Sequence, residues 1–79
     1  MKEVVIYTKD GCSLCDKAKE IIERVRQEVD FTFRQVDITT DEGLSEKYRY
    51  TIPVVAIDGV ERFRYKVSER NLRKLLRRL

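Results

Sequence analysis

Ile6-Tyr7-Thr8-Lys9-Asp10-Gly11-Cys12-Ser13-Leu14-Cys15-Asp16-Lys17-Ala18-Lys19 is the stretch on which the fold turns. At its start, Val4-Val5-Ile6-Tyr7 is a short β-branched apolar run. Such a run predicts a strand buried on both faces, as in parallel pairing. From Leu14 the period changes. Leu14, Ala18, Ile21, Ile22, Val25 and Val29 fall at i, i+4, i+7, i+8, i+11 and i+15, one face of an amphipathic helix of about four turns. Lys17, Lys19, Glu20, Glu23 and Arg24 take the other face. The stretch is therefore predicted as strand, turn and helix, with Cys12 and Cys15 where the helix opens.

Past this helix, Phe31-Thr32-Phe33 restarts an extended segment that runs to about Asp37. Thr39 and Glu42 stand at capping-box spacing. They predict a short second helix from about Asp41 to Lys47, with Leu44 and Tyr48 on its inner face. Pro53 stops any helical continuation and pushes Ile52 into an extended conformation. Val54-Val55-Ala56-Ile57, Asp58-Gly59 and then Val60 to Val67 form the strongest hairpin signal in the chain, because Asp-Gly suits a two-residue turn with positive φ. Phe63, Tyr65 and Val67 alternate with Arg62, Arg64 and Lys66, which predicts aromatics inward and cations in solvent. Ser68 is the predicted N-cap of the final helix. Leu72, Leu75, Leu76 and Leu79 form its apolar stripe, opposite Arg70, Arg73, Lys74, Arg77 and Arg78. The order is β-α-β-α-β-β-α, an α/β chain without repeats, linkers or low-complexity segments.

Seventy-nine residues allow one core and one domain, spanning 1–79, with roughly 60% of the unfolded surface buried. A second domain and a large cofactor pocket are excluded on size. The 42% hydrophobic content is that of a globular chain and too high for a disordered one. No apolar run approaches the roughly 20 residues that span a bilayer. Met1-Lys2-Glu3 carries an acid and enters an apolar stretch too short for a signal peptide. The expectation is a soluble, cytoplasmic protein with no membrane partner.

Charged residues make up 39% of the chain, and there are only one Asn, two Gln and one Met. Dense surface charge with few labile residues is a pattern of heat-adapted proteins, and equally of a small domain kept soluble by charge. Residues 1–59 hold 9 basic and 12 acidic side chains, whereas residues 60–79 hold 8 basic and 2 acidic. A basic tail raises nucleic acid or an acidic protein surface as partners. A Leu stripe backed by cations is more simply a solvated outer face. The Phe63/Tyr65 alternation turns the aromatics away from the exposed cations, which argues against single-strand binding.

The two cysteines are the most informative count, and the chain has no His. Cysteines three apart close a trivial loop, so they are no disulfide framework. Nor do two ligands make a structural zinc site, which takes four. A redox pair, half of an intermolecular metal site, or two inert buried thiols remain. At i and i+3 on a helix the Cβ atoms lie about 5–6 Å apart, close enough to bridge. The first helical turn has unpaired N–H groups and partial positive charge, which favour a thiolate. The thiolate is the species that attacks a disulfide. Lys9, Lys17 and Lys19 push the same way, while Asp10 and Asp16 oppose them. A C-x-x-C after a buried strand, in a βαβ pattern, favours the redox pair.

The stretch Ile6 to Lys19 resembles a glutaredoxin active-site region, and Thr51-Ile52-Pro53-Val54 resembles the Thr-Val-Pro segment of that family. Asp58-Gly59 matches the hairpin that follows, so the resemblance covers essentially the whole chain. The Cys-x-Leu-Cys-Asp-Lys-Ala run is similar to an atypical glutaredoxin-like branch of the thioredoxin superfamily. The resemblance implies a thioredoxin fold, a four-stranded mixed sheet with helices on both faces. It also implies that Pro53 is cis and faces the cysteines, and that the Ile52 backbone pairs with a bound disulfide. By the same resemblance Cys12 is the nucleophile, Cys15 the resolving thiol, and Lys9 and Thr51 line a glutathione or substrate groove. The sequence departs from the family where Ser13 and Leu14 replace a Pro and a Tyr. It departs again where Phe63-Arg64-Tyr65-Lys66-Val67-Ser68-Glu69 replaces a Gly-Gly-acidic turn.

These readings predict a monomeric thiol–disulfide oxidoreductase that reduces protein or mixed disulfides with Cys12, Cys15 and Pro53. It is expected to hold no metal and no tightly bound cofactor. Glutathione is expected to be a poor partner, and a reductase of the thioredoxin-reductase type, or a dedicated protein, to be the donor. The alternatives are an iron–sulfur carrier sharing Cys12 between two chains, and an interaction module using the basic helix.

Overall fold

Val4, Val5 and Ile6 are all buried because their strand, β1 (Glu3–Thr8), runs through the middle of the sheet. The computed structural model describes residues 2–77. Seven regular elements follow the expected order: β1, α1 (Ser13–Arg26), β2 (Thr32–Asp37), α2 (Glu42–Tyr48), β3 (Val54–Ile57), β4 (Val60–Arg64) and α3 (Glu69–Arg77). The strands lie in the order β2-β1-β3-β4. β1 and β2 are parallel, with Val4 opposite Phe33 and Tyr7 opposite Val36. β3 runs antiparallel to both β1 and β4. The β1–β2 link must cross over the sheet, and α1 makes that crossover.

Strand alternation gives the sheet two apolar faces. Val4 and Ile6 of β1 join Val55 and Ile57 of β3 beneath Ala18, Ile22 and Val25 of α1 and Leu72 and Leu76 of α3. On the opposite face, Tyr7 and Val54 meet Leu44 and Tyr48 of α2 and Ile38 of a short 3-10 turn (Ile38–Thr40). Every residue of β3 is buried, which fits a strand covered on both sides. The helices thus pack on both faces, as the resemblance implies.

Three local readings are corrected. The cap of α2 is Asp41, whose carboxylate accepts from the Leu44 amide at 3.2 Å, and Thr39 sits inside the 3-10 turn. That turn has its own cap, Asp37, which accepts from the Thr39 amide at 2.9 Å. The extra turn moves the start of α2 onward. The helix α1 ends at Arg26, although Val29 still packs on the core.

The third correction concerns the hairpin. Asp58 and Gly59 take φ of 50° and 84°, as the two-residue turn requires. The second strand stops at Arg64, three residues short of the expected end. Tyr65 takes φ of 63°, its amide donates to the Pro53 carbonyl at 2.9 Å, and the Lys66 amide turns back to the Arg64 carbonyl at 2.7 Å. This tight turn throws the Tyr65 ring outward, 49% exposed, while Phe63 and Val67 stay inward.

Ser68 caps α3 as predicted, accepting from the Asn71 amide at 3.2 Å. The cations of α3 are divided. Arg73 bonds Glu28 at 2.7 Å and Glu69 at 2.9 Å, and Arg77 reaches Glu28 at 3.4 Å. Arg70 and Lys74 are exposed. The predicted places of Arg78 and Leu79 lie outside the described residues. No helix among the described residues is long and apolar enough to cross a membrane.

Candidate active site

Gly11, at φ of 75°, lets the chain turn sharply from β1 into α1, a conformation that a side chain resists. Cys12 is the next residue and occupies the N-cap of α1, with φ of −107° and ψ of 106°. Its sulfur accepts a hydrogen bond from the Cys15 amide at 3.2 Å. Sulfur thus takes the role usually played by a Ser or Asp oxygen. An N-cap acceptor is stabilised further when it carries negative charge, because orphan N–H groups converge on it. Cys12 remains partly accessible, whereas Cys15 is fully buried behind it. Both are free thiols in this structure.

The two sulfurs are electrostatically unlike. Burial pushes the Cys15 thiol above its ordinary 9.0, and donation of its S–H to Cys12 adds to the effect. The Thr8 hydroxyl and the Lys9 backbone act in the opposite sense. The raised value has a consequence for stability. Below its ordinary value Cys15 is protonated folded or unfolded, and its contribution is fully present. As pH rises through the higher folded value, ionisation favours the unfolded chain and that contribution is lost. Urea unfolding at pH 7 and 9.5 is expected to show a larger alkaline loss in the wild type than in Cys15→Ala. Equal losses would remove the assignment.

The structure brings most of the expected site together. Cys12, Cys15 and Ile52 share one apolar cluster with Tyr7, Ile38, Leu44, Tyr48 and Val54. The Ile52-Pro53 bond is cis. Thr51 and Ile52 are held by one acceptor, the Tyr48 carbonyl, which receives the Thr51 amide at 2.9 Å, the Ile52 amide at 3.1 Å and the Thr51 hydroxyl at 3.2 Å. The Ile52 N–H is thus engaged within the chain. Lys9 lies in the loop after β1 with an exposed side chain, and it is its backbone that faces Cys15.

A groove of about 250 Å³ is lined by Leu14, Lys17, Ala18 and Ile21 of α1 and by Tyr65, Lys66 and Val67 after β4. In the cluster that holds the cysteines, Tyr7 stacks on Tyr48 with ring centroids 4.6 Å apart. The Tyr48 hydroxyl donates to Glu61 at 2.5 Å. Burial, more than that bond, raises the Tyr48 phenol above its usual range. The described residues contain no group of three or more His, Cys, Asp or Glu that could hold a metal ion.

Known proteins resemble this chain in sequence and fold. The family described as glutaredoxin-like domain (DUF836) matches residues 3–77. The chain belongs to the glutaredoxin-like family. A glutaredoxin of Haemophilus influenzae is 41% identical over 63 residues, covering 70% of this chain and 72% of its own. A glutaredoxin-like protein of Dictyostelium discoideum is 33% identical over 72 residues, covering 84% of this chain and 67% of its own. A mutant thioredoxin of Halobacterium salinarum superposes with a TM-score of 0.70 at 18% identity, covering 95% of this chain and 71% of that one. The fold is therefore the thioredoxin fold, and the glutaredoxin-like chain has a redox-related place in the thioredoxin superfamily.

Sequence reasoning missed three features of this glutaredoxin-like site. The alternation predicts Tyr65 inward on an extended strand, and nothing in it marks the turn. Glu61 is the partner of Tyr48, a contact across 13 positions that no spacing rule contains. Thr8 is buried at the end of β1. Its signal was legible in principle, as a hydroxyl closing an apolar run just before the cysteine pair.

Proposed function

We propose that this glutaredoxin-like protein is a thiol–disulfide oxidoreductase that cycles Cys12 and Cys15 between dithiol and disulfide. The observation that carries the reading is the asymmetric pair at the start of α1. Cys12 is accessible and capped onto an amide, and Cys15 is buried behind it with a raised proton affinity. Cys12, as thiolate, attacks a substrate disulfide; one half leaves as a thiol and the other stays joined to Cys12. Cys15 loses its proton and attacks Cys12. The internal disulfide forms, and the remaining substrate sulfur departs with the electron pair and takes up a proton. A donor dithiol then reduces the pair.

The substrate in this reading is a polypeptide, and the apolar Leu14, Ala18, Ile21 and Val67 of the groove suit one of its side chains. Mass spectrometry after mixing the reduced protein with a model disulfide tests the reading. The expected product is a protein lighter by two hydrogen atoms, with the loss mapped to Cys12 and Cys15. Recovery of the dithiol unchanged would overturn it.

A further inference from the structure

We propose that Thr8 is a positioning residue for the resolving step, its buried hydroxyl stabilising Cys15 as the thiolate that attacks the mixed disulfide. The inference rests on the dithiol-cycling reading. Thr8 is the last residue of β1 and is 5% exposed. Its Oγ1 is the buried side-chain polar atom that, among the described residues, has no hydrogen-bond partner. Buried hydroxyls are nearly always paired, and one left unpaired calls for an explanation. This hydroxyl stands on the side of Cys15, where it favours the charged sulfur, and the backbone of Lys9 acts with it. In the resting dithiol Cys12 lies against Cys15, its sulfur accepting from the Cys15 amide at 3.2 Å. No acceptor stands in hydrogen-bonding geometry to the hydroxyl in the resting dithiol, so it is free to turn to the sulfur once that becomes an anion, a far stronger acceptor than a thiol.

The mixed disulfide changes that balance. Once Cys12 is bonded to substrate sulfur, Cys15 must ionise inside an apolar cluster, where a bare thiolate is costly. The groups packed against it supply no base. β1 contributes Tyr7, α2 contributes Leu44 and Tyr48, the 3-10 turn contributes Ile38, and β3 with its preceding loop contributes Val54 and Ile52. The Tyr48 hydroxyl is committed to Glu61. On α1 itself, Asp16 and Lys17 are exposed, and Cys12 is occupied by substrate. The Thr8 hydroxyl and the Lys9 amide are the two donors left to meet the developing charge. The Cys15 proton goes to solvent. The Cys12–Cys15 bond then forms, the bond from Cys12 to substrate breaks, and the departing sulfur takes up a proton. Thr8 is not consumed.

The test is stopped-flow reaction of the reduced protein with 5,5′-dithiobis(2-nitrobenzoate), followed at the absorbance of the released thiolate. The first phase is attack by Cys12 and the second is resolution by Cys15. Thr8→Val removes the hydroxyl and keeps the shape, and Thr8→Ser restores the hydroxyl. In Thr8→Val the first phase is expected to be unchanged. The second is expected to slow about three- to tenfold at pH 7, with its pH midpoint raised by roughly half to one unit. The rates should converge above both midpoints, and Thr8→Ser should follow the wild type. Thr8→Val should melt no earlier than the wild type, because it removes a polar atom that is unsatisfied when folded. Equal second phases and midpoints in Val and wild type, or a Ser variant as slow as Val, would overturn the role of Thr8 alone. A wild type with no second phase would overturn the cycling reading itself.

Discussion

Cys12→Ser is expected to abolish disulfide reduction, with a loss on the order of a thousandfold or more, because a serine hydroxyl is scarcely ionised near neutral pH. The fold should survive. A serine oxygen at the same N-cap accepts from the Cys15 amide at least as well as sulfur does. The companion variant is expected to behave differently. Cys15→Ser leaves the accessible nucleophile in place, so Cys12 should still attack a substrate once, and the mixed disulfide should then persist. Non-reducing electrophoresis or intact mass should show a covalent adduct in Cys15→Ser and none in Cys12→Ser. The different burial of the two sulfurs is what makes the outcomes unequal. Equal tolerance of both substitutions would remove the assignment of roles.

Turnover supported by glutathione is expected to fall at least about tenfold below turnover supported by a thioredoxin-reductase-type donor, since one lost charge-assisted anchor costs about 1.5–3 kcal/mol. The missing anchor is a matter of backbone shape. Where the resembling family places its glycines, this chain has Tyr65 at φ of 63°. Its amide is spent on the Pro53 carbonyl and its ring projects beside the groove. Glycine at such a turn would open the backbone to a close ligand, and tyrosine closes it. Lys17 and Lys66 flank the same groove, but both are exposed, and an exposed pair contributes about 0–1 kcal/mol.

Tyr65→Gly sharpens the expectation. It removes the ring and relieves a left-handed conformation that costs a non-glycine residue about 1–2 kcal/mol. Glycine's extra freedom in the unfolded chain offsets roughly 0.5–1 kcal/mol of that. Stability should therefore change little, while glutathione turnover rises relative to the reductase-supported rate. The measurement is both rates side by side, at fixed ionic strength, for the wild type and the variant. Fast, saturable wild-type turnover with millimolar glutathione would overturn the expectation.

Much of this architecture was legible in the chain because local pattern encodes it. The Val4–Tyr7 run, the 3.6-residue stripe of α1, Asp58-Gly59 and the Ser68 cap each carry their conformation within a few residues. The cysteine pair could be placed at a helix start from the same short window. The partition of the two sulfurs into an accessible and a buried one is different. It depends on Ile38, Tyr48, Ile52 and Val54 closing over Cys15, residues brought together from three separate segments. The Tyr65 turn arises because its amide is captured by the Pro53 carbonyl, 12 positions earlier in the chain. The Asp41 cap follows from a 3-10 turn that hydrophobic periodicity does not register. Thr8 became a candidate only when packing buried its hydroxyl without a partner. Periodicity determines which face of an element is apolar. Which polar atom meets which sulfur is settled by long-range packing, and that is where the chemistry of this site is decided.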